Sequence, residues 1–215
     1  MTIDAEPIAN PYLTGAFEPV SSEVTATDLE IRGELPAALR GRYLRNGPNP
    51  QFPPCTRYHI FDGDGMVHGI DIADGAASYR NRWVESRALL VERKAGRSLY
   101  GGLSEFLLPS PEVMAEGGMM KHTANTNIVR HAGKLLALME ATPPTVLADD
   151  LSTVGDYDYD GALAGSMTAH PKWDPATGDL HFFGYSPFPP FVRYHVADAA
   201  GRLVHSVDIE LPRRS

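Results

Sequence analysis

The sequence predicts an all-β fold, built as a β-propeller. Three observations carry that expectation. Short apolar stretches alternate with turn signals along most of the chain. The 20 glycines and 18 prolines among 215 residues are scattered through these turns instead of being gathered into a linker. The turns at Gly133 and Gly178 are 45 residues apart, which suits four-stranded units that bury their faces by stacking on neighbours. A β-sandwich accounts for the same periodicity and stays open at this level.

The first 50 residues read as extended and turn-rich. Residues 29–33 alternate like a strand, and residues 35–41 suggest a short helical turn closed by Gly41. Tyr43 opens a strand that runs into the sharp turn Gly47-Pro48-Asn49-Pro50. A first meander follows. Residues 58–61 lead into Asp62-Gly63-Asp64-Gly65, a hairpin signal; residues 66–72 return, Asp74-Gly75 turns, and residues 77–85 form a third strand. Residues 98–109 show neither strand alternation nor a helical period and read as an irregular connection packed on the core. A second meander uses residues 127–130, the turn at Ala132-Gly133, residues 135–140 and residues 144–147. A third uses residues 169–173, the turn from Asp174 to Gly178, residues 180–185, residues 191–196 and, after Ala200-Gly201, residues 203–209. Asp174-Pro175 and Thr177-Gly178 supply the turn chemistry.

Composition removes several classes of function. The formal charge is −8, and no basic run is longer than Arg213-Arg214, so no nucleic-acid partner is expected, because phosphate contacts need clustered Lys and Arg. Cys55 is the single cysteine, which excludes an intrachain disulfide and a cysteine-based zinc site. The stretch from Met1 to Pro7 lacks a cationic and an apolar region, and no run is long enough to span a membrane. A cytoplasmic location is the default expectation. A Gly-rich phosphate loop, a His-Glu-x-x-His pair and a Gly-x-Ser-x-Gly elbow are all missing.

Chemistry then rests on histidine and carboxylate. Pro171 biases His170 toward an extended backbone, so its imidazole is expected at a strand end in a fixed direction, a posture that suits a metal ligand. Glu140 closes an otherwise apolar strand, where a carboxylate is costly to bury without a partner; it reads either as a solvent contact at the strand end or as an acceptor for a histidine N–H beside a metal. His59, His68, His131, His181, His195 and His205 fall in or beside strands and turns, where structural roles are expected. His122 precedes a strand entry and is undecided. Leu99, Leu103, Phe106, Leu107 and Leu108 make a dense apolar cluster, readable as core packing or as a surface lip for a greasy substrate or a membrane.

Five segments together resemble the carotenoid cleavage oxygenases, which include apocarotenoid and stilbene cleaving enzymes and the retinoid isomerase of the visual cycle. They are Tyr43-Leu44-Arg45-Asn46-Gly47-Pro48-Asn49-Pro50, Phe61-Asp62-Gly63-Asp64-Gly65-Met66, Thr123-Ala124-Asn125-Thr126-Asn127, the Leu-Ala-Leu-Met-Glu stretch ending at Glu140, and Ala169-His170-Pro171-Lys172. The resemblance implies a seven-bladed propeller with Fe(II) held by four histidines, and O2-dependent cleavage of a double bond in an apolar polyene. It implies that His170 is the first iron ligand and Glu140 a carboxylate behind the ligands. It also implies that the chain is an N-terminal part of one propeller domain: family members are much longer, about three blades are covered, and the other three ligands have no counterpart here. Such a chain is expected to be inactive alone, with open blade faces and an N-terminal strand lacking the last blade it completes. Substrate collection from a membrane would use the apolar lip. Stilbene cleavers carry a lysine just before the strand-end glutamate, where this chain has Met139, which favours an apolar substrate. The alternatives are a non-catalytic β-rich binding module that has lost the iron site, or stilbene-type cleavage.

Overall fold

The computed structural model describes residues 10–211; the stretch from Met1 to Pro7 and the Arg213-Arg214 pair lie outside the described residues. Three four-stranded antiparallel sheets follow one another along the chain. Sheet one holds β1 (Thr25–Ala26), β2 (Gly41–Pro48), β3 (Gly65–Ala73) and β4 (Ala76–Trp83), in the order β1-β4-β3-β2. Two short helices, α1 (Arg87–Ala95) and α2 (Pro111–Gly117), separate it from sheet two. Sheet two pairs β5 (Asn127–His131), β6 (Lys134–Leu138), β7 (Thr145–Leu147) and β8 (Thr153–Asp156) in chain order. Sheet three does the same with β9 (Lys172–Trp173), β10 (Leu180–Tyr185), β11 (Val192–Ala197) and β12 (Leu203–Ile209).

The middle sheet decides between sandwich and propeller. In β6 the four consecutive residues Leu135, Leu136, Ala137 and Leu138 are all buried. Successive side chains on a strand point to opposite faces, so both faces of β6 are covered. Leu135 and Ala137 pack with Val67, Val84 and Leu44 of sheet one and its continuation. Leu136 and Leu138 pack with Leu180, Phe182 and Ala197 of sheet three. A strand in a two-sheet sandwich has one inner face, whereas a propeller blade is flanked by two others. The sheets are therefore propeller blades. Each large apolar side chain buried this way is worth about 1.5–3 kcal/mol, so β6 is the strand on which both blade contacts depend.

The face of sheet three turned away from sheet two is apolar and open. Strand register puts Phe183, Tyr194 and Val207 side by side there, with Tyr185, Val192 and Ile209 beyond them. Tyr185, Val207 and Ile209 are exposed.

Several expectations need correction. Residues 29–33 are not a strand; the strand lies upstream as β1, where Thr25 and Ala26 pair with Arg80 and Tyr79 of β4. β1 thus completes the first blade. Residues 35–41 make a single turn, closed by the Leu39 N–H donating to the Pro36 carbonyl at 2.9 Å, and Gly41 opens β2 instead of ending a helix. Residues 58–61 are not a strand: Ile60–Asp62 is a 3-10 turn capped at both ends of its box by His59 and Asp62. The following glycines serve close approach and not a hairpin, since a Cβ on Gly65 would lie 2.5 Å from the Ala124 carbonyl oxygen. The strand expected over residues 169–173 shortens to Lys172–Trp173. Both helices and β8 lie outside the strand-and-turn pattern of the sequence. The signals for α1 were present: Ser86 accepts from the Leu89 N–H, and Gly96 ends the helix at φ 66°, the left-handed conformation in which glycine is favoured.

Candidate functional site

The five motif segments, scattered over 130 residues of sequence, meet at one end of the sheets. Asn46, near the end of β2, donates from its amide to the carbonyls of Ala124 (2.7 Å) and Asn127 (3.0 Å). Asn125 donates to the carbonyls of Phe61 (2.8 Å) and Gly63 (2.7 Å). The Gly65 N–H donates to the Thr123 carbonyl. Asn127, the first residue of β5, donates to the Ala169 carbonyl at 2.8 Å. Side-chain amides thus join sheet one to sheet two and sheet two to sheet three. Asparagine fits this task because its short amide offers donors that a buried carbonyl otherwise lacks.

This network leads directly to His170. Glu140 leaves sheet two just past β6, and His170 precedes β9 on sheet three. Their side chains stand 3.6 Å apart, Glu140 Oε1 to His170 Nε2. Thr168 links them: its hydroxyl donates to Glu140 Oε1 at 3.1 Å and accepts from the His170 N–H at 3.2 Å. The Thr168 N–H in turn donates to the Phe183 carbonyl on β10 at 2.7 Å. Glu140 Oε2 is buried and has no hydrogen-bond partner among the described residues, a costly state for a carboxylate oxygen. The His170 side chain is 64% exposed. Tyr185 borders the pair; burial first, then the Glu140 carboxylate, raise its phenol above the ordinary value, with the Thr168 hydroxyl opposing in part.

The structure therefore brings His170 and Glu140 together, as a pair reaching from two blades. It places no second histidine with them: no group of three or more His, Cys, Asp or Glu that could hold a metal occurs among the described residues. One imidazole and one carboxylate fit part of a metal site and not a whole one, because the affinity of a ferrous site comes from several deprotonated donors acting together. Other histidines are engaged in the fabric of the sheets. His68 bonds the Tyr79 hydroxyl (2.8 Å), His131 the Gly178 carbonyl (3.1 Å), His181 the Tyr194 hydroxyl (2.6 Å) and His195 the Ser206 hydroxyl (2.8 Å). His122 is nearly buried, 3.6 Å from Asp156 through Nδ1, with no hydrogen-bond partner for Nε2 among the described residues. Burial lowers its pKa, and Asp156 offsets this in part.

The apolar segment is irregular, with Leu103, Phe106, Leu107 and Leu108 exposed. Leu99 is drawn in, its N–H donating to Glu92 at 2.8 Å. Glu92 belongs to a buried charge cluster. Lys121 Nζ sits 2.8 Å from Asp64 and 2.7 Å from Glu92, and Glu92 also accepts from the Ser98 hydroxyl at 3.1 Å. Burial alone would lower the Lys121 pKa, but the two carboxylates more than offset it and raise it. Glu92 stands between the apolar Leu89-Leu90-Val91 and the charged Arg93-Lys94, a place that does not announce burial in the sequence, and two carboxylates on one ammonium make that burial tolerable. Leu103 N–H donates to Asp62 at 2.9 Å, so the segment is rooted beside Phe61 and Gly63, the residues that Asn125 holds. No helix among the described residues is long and apolar enough to cross a membrane.

Residues 17–215 match the family described as "Retinal pigment epithelial membrane protein". A carotenoid cleavage oxygenase of Mycobacterium tuberculosis is 45% identical over 215 residues, covering 98% of this chain and 40% of that protein. The crystal structure of Pseudomonas brassicacearum lignostilbene dioxygenase superposes with a TM-score of 0.83 at 36% identity, over 95% of this chain and 43% of that one. The cobalt-substituted apocarotenoid oxygenase of Synechocystis superposes with a TM-score of 0.75 at 28% identity, over 88% of this chain and 42% of that one. The chain spans about two fifths of the length of the relatives it matches.

Proposed function

The chain belongs to the family of retinal pigment epithelial membrane protein and the carotenoid cleavage oxygenases, and from that premise we propose that it forms the N-terminal blades of an iron-dependent oxygenase that splits a conjugated double bond in a carotenoid or apocarotenoid. The observation that carries this reading is the His170–Glu140 pair, 3.6 Å apart, in the two motif segments where the resemblance expects a ligand and a carboxylate behind it. In this reading His170, together with histidines from further blades, would hold an iron ion, which would supply the chemistry that activates O2. His170 contributes one neutral nitrogen. Glu140 contributes a carboxylate whose free Oε2 accepts an imidazole N–H from another ligand, which fixes that ring's tautomer and direction. Thr168 keeps Glu140 and the His170 backbone in register.

The open apolar face of sheet three is the surface on which a further blade would stack, and it supports the view that the working protein carries more of the ring. Met139 supports an apolar substrate. Its sulfur accepts from the Thr123 N–H at 3.1 Å and the Thr123 hydroxyl at 3.4 Å, so a tethered thioether stands where stilbene cleavers have a lysine.

The test is cleavage by the protein that carries these blades together with the rest of the ring. His170→Ala is expected to abolish product formation while the fold persists. Glu140→Gln is expected to cost about 10- to 100-fold in activity or iron affinity. Normal turnover by His170→Ala would overturn the ligand assignment.

A further inference from the structure

Resting on that reading of His170, we propose that Asn127 is a positioning residue for the ligand loop, setting where His170 stands relative to Glu140. Asn127 Oδ1 accepts from the Ile128 N–H at 2.8 Å, which orients its amide so that Nδ2 faces the Ala169 carbonyl, also at 2.8 Å. Ala169 is completely buried and immediately precedes His170. Its carbonyl is thus held by a side chain belonging to sheet two, the sheet that also delivers Glu140. The Asn127 carbonyl is in turn held by Asn46 from sheet one at 3.0 Å. On the far side, the loop is pinned to sheet three by the Thr168 N–H on the Phe183 carbonyl. The loop spans the gap between two blades and is tied to both. With the Asn127 bond removed, the ties through Thr168 and Met167 would carry the loop without it, and the residue immediately before His170 would lose its anchor to sheet two, letting His170 shift relative to Glu140.

This explains why asparagine stands where the Thr123 to Asn127 segment enters its strand. Aspartate keeps the acceptor for Ile128 but replaces the donor with an oxygen that faces the Ala169 carbonyl. The side-chain hydrogen bonds of Asn127 both go to backbone groups, so it acts through backbone geometry and not through chemistry at the imidazole.

Hydrogen exchange followed by mass spectrometry on the 215-residue chain tests the proposal without reference to activity. The Met167 and Thr168 N–H groups, bonded to the Thr142 and Phe183 carbonyls, and the His170 N–H report on the loop. Asn127→Asp is expected to speed exchange across residues 166–173 by about fivefold or more, the loss of one net hydrogen bond, with residues 65–83 and 180–197 unchanged. Unchanged exchange over residues 166–173 would overturn the proposal. Should Asn127→Asp lose protection throughout, Asn127→Ser decides, since it keeps an oxygen for Ile128 and adds no charge. Global loss of protection in both variants would also overturn it, making Asn127 a folding residue and not a positioning one. A loop that loosens as expected in the chain, while the protein carrying these blades with the rest of the ring cleaves no polyene, would count against the oxygenase reading and leave the role of Asn127 standing.

Discussion

His122 shows how a single buried side chain ties stability to pH. Burial holds its pKa below the usual histidine value, with Asp156 opposing in part. In the unfolded chain the same imidazole takes up a proton near its ordinary pKa of about 6.5. Below that pH the unfolded state binds a proton that the native state resists, so stability falls on acidification and is fully recovered above it. His68 and His195 are shifted the same way, chiefly by burial. Urea midpoints at pH 7.5 and 5.5 are therefore expected to drop for the native chain and to drop less for His122→Gln; identical pH slopes would discount His122. The other decisive single residues are His170 and Glu140. A proline-biased backbone and an out-of-place carboxylate marked both in the sequence. Thr168 and Asn127, which hold them, carried no such mark, because a threonine or asparagine at a strand end is unremarkable until its partner on another blade is known.

At the scale of elements, β6 is the test of the blade architecture. Leu136 is 1% exposed and sits in the contact with sheet three. Leu136→Ala is expected to cost about 2–5 kcal/mol through lost burial and a residual cavity, read as a lower denaturation midpoint at unchanged slope. Val204→Ala on exposed β12 should stay within about 0.5 kcal/mol. Comparable losses in the two would contradict the double-sided burial of β6. The apolar segment makes the second element-scale prediction. Leu103, Phe106, Leu107 and Leu108 project outward from a base fixed by the Lys121–Glu92–Asp64 cluster, at the end of the sheets where His170 lies. We propose that they meet a lipid surface, mainly through apolar insertion, since the charge of −8 opposes anionic lipid. Liposome flotation of the chain is expected to weaken in Phe106→Ser/Leu107→Ser at unchanged melting temperature, and equal flotation of the two would remove the lip.

For the whole molecule, three stacked blades supply one imidazole to the candidate site. After anaerobic loading with Fe(II) and desalting, the 215-residue chain is expected to retain far below one iron per chain, because the remaining donors supply most of the binding. Stoichiometric retention would mean that other histidines had been recruited. By itself the sequence determined the strands whose alternation or apolar run is strong, β2 to β7 and β10 to β12, and the turns at Asp74-Gly75, Ala132-Gly133 and Ala200-Gly201, because period and turn chemistry are local properties. It also determined which two side chains to watch. Only the tertiary structure decided that β1 pairs back onto β4, that residues 58–61 coil instead of pairing, that Lys121 neutralises two buried carboxylates, and that Asn46 and Asn127 stitch the blades at the ligand end. Each of these is a contact between residues far apart in the chain, and such contacts are selected by the packing of whole sheets and not by any preference that a short stretch of sequence expresses.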